Sequence, residues 1–118
     1  MPKILIIDDD PQIRQLIVEI LADAGYEMFE AKDGKEGLRR IRIDQPELVI
    51  TDILMPQTDG LEVIRELRRS TLRVPILAIS DGDAIFLRVA KKFGADLTLA
   101  KPFGHPELIE AVNTLLST

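Results

Sequence analysis

The sequence predicts an α/β fold, a parallel sheet with helices on both faces. Three observations carry that prediction. Five short apolar runs, at 3–7, 26–31, 47–51, 74–79 and 97–100, are strand candidates. Between them, apolar residues recur at the 3.6-residue spacing of amphipathic helices. Finally, the runs at 3–7, 47–51, 74–79 and 97–100 lead into chemically active side chains, namely Asp8-Asp9, Asp52, Ser80 and Lys101. Strand–helix alternation closes as right-handed crossovers and a parallel sheet, whose ligands bind outside the carboxyl ends of the strands.

The first run ends in Asp8-Asp9-Asp10, and Asp10 before Pro11 reads as a helix N-cap followed by proline at the first helical position. The helix presents Ile13, Leu16, Ile17, Ile20, Leu21 and Ala24 on one face, and Gly25 closes it. After the strand at 26–31, Asp33 and Glu36 have capping-box spacing for a helix that buries Leu38 and Ile41 and stops before Pro46. The central strand, 47–51, delivers the chain to Asp52. Asp59 and Glu62 repeat the capping-box spacing ahead of a helix using Leu61, Ile64 and Leu67. The fourth strand, 74–79, tolerates Pro75 only near its start. A turn at 80–83 leads to a weaker helix with Ile85, Val89 and Phe93 inward, which Gly94 ends. After the fifth strand and Lys101-Pro102-Phe103, His105-Pro106 opens a last helix with Leu108, Ile109, Val112, Leu115 and Leu116 inward.

With 118 residues, 46% hydrophobic and 30% charged, the chain reads as one soluble globular domain, 1–118. It has no cysteine, which excludes disulfides and thiolate chemistry. Its apolar runs are too short to span a membrane, and a cytoplasmic location is expected. A net charge of −5 argues against direct nucleic-acid binding, and the local clusters Arg39-Arg40-Arg42 and Arg65-Arg68-Arg69 read as solvated helix faces.

The stretch from Ile50 to Gly60 organises the rest. An acid after a buried strand is commonly a turn residue or a cap, but Asp59 already sits where the next helix needs its cap. Asp52 is left for other work, and neighbouring strands end in groups that could meet it. Three carboxylates, one hydroxyl and one ammonium would share one end of the sheet. Two carboxylates about 5 Å apart repel by roughly 3 kcal/mol at an effective dielectric near 20. Lys101 answers one charge, and a hard divalent ion such as Mg²⁺ would answer the rest. A carboxylate is also a competent nucleophile toward phosphorus. His105, at a helix N-terminus, is given no catalytic role.

The motifs Ile6-Ile7-Asp8-Asp9-Asp10, Asp52-Ile53-Leu54-Met55-Pro56 with Asp59-Gly60, and Lys101-Pro102-Phe103 together resemble the response-regulator receiver domains of two-component signalling, chemotaxis regulators among them. The resemblance runs from end to end. It implies a flavodoxin-like doubly wound sheet of strand order 2-1-3-4-5 and a cis bond between Lys101 and Pro102. It implies that Asp52 accepts a phosphoryl group from a phosphohistidine on a sensor histidine kinase or histidine phosphotransfer protein. Asp9, Asp52 and the backbone carbonyl of Leu54 would hold Mg²⁺, with Asp8 supporting it through water. Lys101 would hold a phosphoryl oxygen, and Ser80 would move toward it as the switch. Such a domain assists its own phosphorylation and dephosphorylation without turning over a diffusible substrate. It acts on a downstream protein partner or an output domain, and the resemblance admits a dimer through the face of the fourth helix, fifth strand and last helix.

Two positions depart from the family pattern. Thr98 stands where the fifth strand usually carries Tyr or Phe, and Asp81 follows Ser80 where a small residue is usual. These departures support a rival reading, a binding module of the same fold that no longer switches. A flavodoxin-type redox carrier fits less well. Asp8-Asp9-Asp10 would repel a flavin phosphate, and 4% aromatic content offers little to stack on the ring.

Overall fold

The computed structural model describes residues 1–53, 60–70, 73–80 and 84–117. Its elements alternate as expected: β1 (Lys3–Ile7), α1 (Pro11–Asp23), β2 (Glu27–Ala31), α2 (Gly34–Asp44), β3 (Leu48–Asp52), α3 (Gly60–Arg69), β4 (Ile76–Ser80), α4 (Ala84–Phe93), β5 (Leu97–Ala100) and α5 (His105–Leu116). The strands form one sheet in the order β2-β1-β3-β4-β5, and each neighbouring pair is parallel. This is the flavodoxin-like doubly wound arrangement.

The period-2 alternation of the strands explains why the sheet is covered twice. On one face Leu5, Ile7, Val49, Ile76 and Ala78 pack with Ile41 of α2, Val63, Ile64 and Leu67 of α3, and Ala90 of α4. On the other, Ile4, Ile6, Leu48, Ile50, Leu77 and Ile79 pack with Ile17 and Leu21 of α1 and Leu108 and Val112 of α5. Each fully buried aliphatic side chain of this kind contributes about 1.5–3 kcal/mol relative to exposure. β3, buried along its whole length, is the centre of both layers.

Helix ends follow the local chemistry. The Asp10 carboxylate accepts from the amides of Gln12 and Ile13 and caps α1 ahead of Pro11. Asp33 accepts from the Glu36 amide, but Glu36 returns its bond to the Lys32 amide instead of the cap residue, so the expected box is shifted by one. Gly25 and Gly94, after α1 and α4, take positive φ angles of 99° and 123°, which a side chain would resist. The bond between Lys101 and Pro102 is cis.

Several expected boundaries and faces move. β3 includes Asp52, and β4 starts at Ile76 and includes Ser80, so Val74 and Pro75 precede that strand. Tyr26 likewise lies before β2. On α1, Leu16 faces outward at 43% exposure and Ala24 is exposed at the helix end, while Ile17, Ile20 and Leu21 are buried. On α3, Val63 joins the buried face, and the expected cap Asp59 lies outside the described residues. The apolar stripe of α4 is the largest correction. Ile85 and Phe93 are exposed, and the helix faces the core through Phe86, Leu87 and Ala90. This helix carries apolar residues on two faces, so periodicity alone does not choose between them.

Candidate functional site

The carboxyl ends of β1 and β3 lie side by side because Ile7 pairs with Thr51 in the sheet register. Asp8 continues the ladder beyond β1, its amide donating to the Ala31 carbonyl at 3.1 Å. Asp52 pairs in register with Ile79, and the Ile53 amide donates to the Ile79 carbonyl at 2.9 Å. The start of α3 lies against the end of β3, where the Gly60 amide donates to the Ile53 carbonyl at 2.8 Å. A Cβ at position 60 would stand 2.0 Å from the Asp52 carbonyl oxygen, so glycine is required for this approach. From the other side, the Lys101 amide donates to the Ser80 carbonyl at 2.8 Å and ties the ends of β4 and β5 together.

Each of Asp8, Asp9 and Asp52 offers a carboxylate oxygen, and these oxygens lie within 4.8 Å of one another. Asp8 is fully buried, Asp52 nearly so at 5% exposure, and Asp9 is open to solvent. The Lys101 ammonium stands 3.4 Å from Asp8 Oδ2 and 3.6 Å from Asp52 Oδ1. Ser80 is fully buried at the end of β4. The described residues expected at the site therefore lie together at the carboxyl end of the sheet. Leu54, expected to offer its backbone carbonyl, lies outside the described residues, as does Asp81. Thr98 is half-buried on β5, in register with Ala78.

Burial raises the pKa of the Asp8 carboxyl above its ordinary value. A hydrogen bond from the Asp10 amide and the charge of Lys101 work against this, and the neighbouring charge of Asp9 adds to it. One ammonium therefore does not fully offset the cost of the carboxylates. Clustered, converging carboxylate oxygens are what a hard oxygen-seeking cation of the Mg²⁺ class takes, and the donor set fits such an ion. A depression of about 860 Å³ lined by His105, Ile109 and Asn113 lies along α5 and includes none of these carboxylates.

One polar residue beside the site had not been expected there. Arg14 of α1 donates from Nη1 to the Asp8 carbonyl at 2.7 Å and from Nε to Glu30 at 3.0 Å. Its signal in the sequence is faint, namely that it is the single basic residue of α1.

Comparison with known proteins agrees with this geometry. Residues 4–113 match the family described as the response regulator receiver domain. The chain is 41% identical over 115 residues to the response regulator MprA of Mycolicibacterium vanbaalenii, covering 97% of this chain and 50% of that protein. It is 36% identical to the alkaline phosphatase synthesis transcriptional regulatory protein PhoP of Bacillus subtilis, covering 97% of this chain and 48% of that protein. The chain thus spans about half the length of these curated relatives. Among solved structures, a response regulator from Chloroflexus aurantiacus superposes with a TM-score of 0.95 at 33% identity, covering 99% of this chain and 98% of the other. The chemotaxis protein CheY4 of Vibrio cholerae does so at 0.91 and 32%, covering 98% and 99%.

Proposed function

Since the chain belongs to the response-regulator receiver family of two-component signalling, we propose that it is a phosphorylation-operated switch with Asp52 as the phosphoacceptor. The observation that carries this reading is the placement of Asp52, which ends the central strand within reach of Asp8, Asp9 and Lys101. An oxygen of its carboxylate attacks the phosphorus of a phosphohistidine on a sensor kinase or phosphotransfer protein. The P–N bond breaks, its electron pair returns to the imidazole, and an aspartyl phosphate remains.

The residues around Asp52 divide the remaining work. Asp9, Asp52 and the Leu54 carbonyl would hold Mg²⁺, with Asp8 behind them acting through water. The ion supplies neutralisation of charge on the phosphoryl oxygens. Lys101, already between two carboxylates, turns its ammonium to pair with a phosphoryl oxygen once Asp52 is phosphorylated. Ser80, one strand away, donates its hydroxyl to the same group and draws the end of β4 inward. Its carbonyl is bonded to the Lys101 amide, so this movement is passed to β5 and the start of α5. The face formed by α4, β5 and α5 then presents the signal to a downstream protein, an output domain or a second copy. Phosphohistidine donors place this chemistry in the cytoplasm. Among the described residues no helix is long and apolar enough to cross a membrane.

Thr98 favours a second reading, a receiver-fold binding module that holds its partner without switching. Half-buried on β5, it supplies no aromatic ring to follow the movement of Ser80. Partner binding that ignores beryllofluoride and Mg²⁺ would support this alternative. The primary reading is tested by incubation with a small phosphodonor and Mg²⁺. Intact mass should rise by one phosphoryl group in the wild type and stay unchanged in Asp52→Asn. A gain in both proteins would remove Asp52 from its role.

A further inference from the structure

We propose that Arg14 is a positioning residue for the metal site, holding Asp9 in place by gripping the backbone of the turn that carries it. This inference rests on the reading of Asp8, Asp9 and Asp52 as a cation site. Asp9 is the exposed member of the three, and among the described residues its carboxylate forms no hydrogen bond or ion pair that would orient it. Its position is therefore set by the backbone between Asp8 and Asp10. That short stretch is secured by several bonds, and its far end is held by the Asp10 carbonyl, which accepts from the Arg14 amide at 3.0 Å. The Asp8 amide donates to Ala31, and the Asp10 amide donates to Asp8 Oδ1 at 2.9 Å. The carbonyl of Asp8, which belongs to the peptide linking Asp8 to Asp9, accepts from Arg14 Nη1 at 2.7 Å.

The guanidinium suits this task because it reaches two anchors at once. Its Nε is bonded to Glu30 Oε1 on the edge strand β2, while Nη1 is bonded to Asp8. With the side chain only 20% exposed, the fork is braced between an edge strand and the turn. A lysine presents a single ammonium and cannot replace donors on two different nitrogens. The brace thus runs from β2 through α1 to the β1–α1 turn without touching the ion.

Positioning and plain electrostatics predict opposite signs. Arg14 is a positive charge beside a cluster that attracts cations, so by charge alone its removal tightens cation binding. If it positions Asp9, removal weakens binding. Groups that orient metal ligands typically change affinity by about 10- to 100-fold, and the lower end suits a group acting through the backbone.

The test is Mn²⁺ binding to the unphosphorylated protein, followed by electron paramagnetic resonance at neutral pH and fixed ionic strength. Wild type, Arg14→Met, Arg14→Lys and Asp9→Ala are compared well below their melting temperatures. The expected result is a Kd raised about 10-fold in Arg14→Met and by a smaller factor in Arg14→Lys, with binding largely lost in Asp9→Ala. If Arg14→Met does not fold, Arg14→Lys decides, since charge alone predicts wild-type affinity for it. Tighter or unchanged binding in Arg14→Met, or wild-type affinity in Arg14→Lys, overturns the inference while leaving the metal site intact. An unchanged Kd in Asp9→Ala overturns the cation site itself, and the inference with it.

Discussion

Asp8 is buried, and its raised pKa means that its ionised form costs the folded state free energy. The sign of the pH dependence follows. In the unfolded chain the carboxyl titrates near its ordinary value of 3.8, whereas the folded protein keeps the proton to higher pH. Stability is therefore lost as pH rises from 3.8 through the raised value, and stays lost above it. Each tenfold difference between the two ionisation constants is worth about 1.4 kcal/mol. In metal-free protein, Asp8→Asn should remove this part of the pH dependence and be the more stable protein above that window. Asparagine keeps an oxygen for the Asp10 amide, and Lys101 keeps Asp52 as a partner. Urea denaturation at a series of pH values checks this, and a variant less stable at every pH would contradict it. The placement of Asp8, Asp9, Asp52, Ser80 and Lys101 at the carboxyl ends of the strands is legible in the sequence because each follows or ends an apolar run whose direction in a parallel sheet is fixed. That of Arg14 is not, because its partners are a backbone carbonyl and a carboxylate brought near by folding, and no spacing along the chain announces them.

At the scale of elements, the strands and helices were legible in order and kind, but their ends and some faces were not. Asp52 and Ser80 read as residues following strands, yet both are paired within the sheet, since pairing depends on the neighbouring strand as well as on local polarity. The stripe of α4 was misplaced because Ile85, Val89 and Phe93 form one apolar row and Phe86, Leu87 and Ala90 another. Contact with the core selects the second. Gly60 shows a constraint acting between elements, because the start of α3 rests on the carbonyl of Asp52. Backbone on both sides of that contact cannot yield as a flexible side chain would. Gly60→Ala is therefore expected to cost about 1–3 kcal/mol and to slow phosphorylation by displacing Asp52. Equilibrium denaturation and the phosphodonor assay on the same variant check both effects, and a fully stable, fully active variant would show that α3 has room to retreat.

At the scale of the whole molecule, the helices are unequally anchored. α1 buries Ile17, Ile20 and Leu21, whereas α4 buries Ala90 alone among its residues. Ser80 ends β4, the strand that precedes α4 in the chain, and its carbonyl is bonded to the Lys101 amide, so a rearrangement around Asp52 that reaches Ser80 meets least resistance in α4. Hydrogen exchange with beryllofluoride and Mg²⁺ should change across α4 and β5 and remain largely unchanged across α1 and β2. No change in α4 and β5 would favour the non-switching reading that Thr98 raises. These expectations depend on where the phosphoryl group is carried. Borohydride reduction of the phosphorylated protein converts an aspartyl phosphate to homoserine, which peptide mass spectrometry can locate. Homoserine is expected at position 52 in protein treated with phosphodonor and Mg²⁺, and none in untreated protein. Homoserine at another aspartate, or at none in protein that has gained the phosphoryl mass, would contradict Asp52 as the phosphoacceptor.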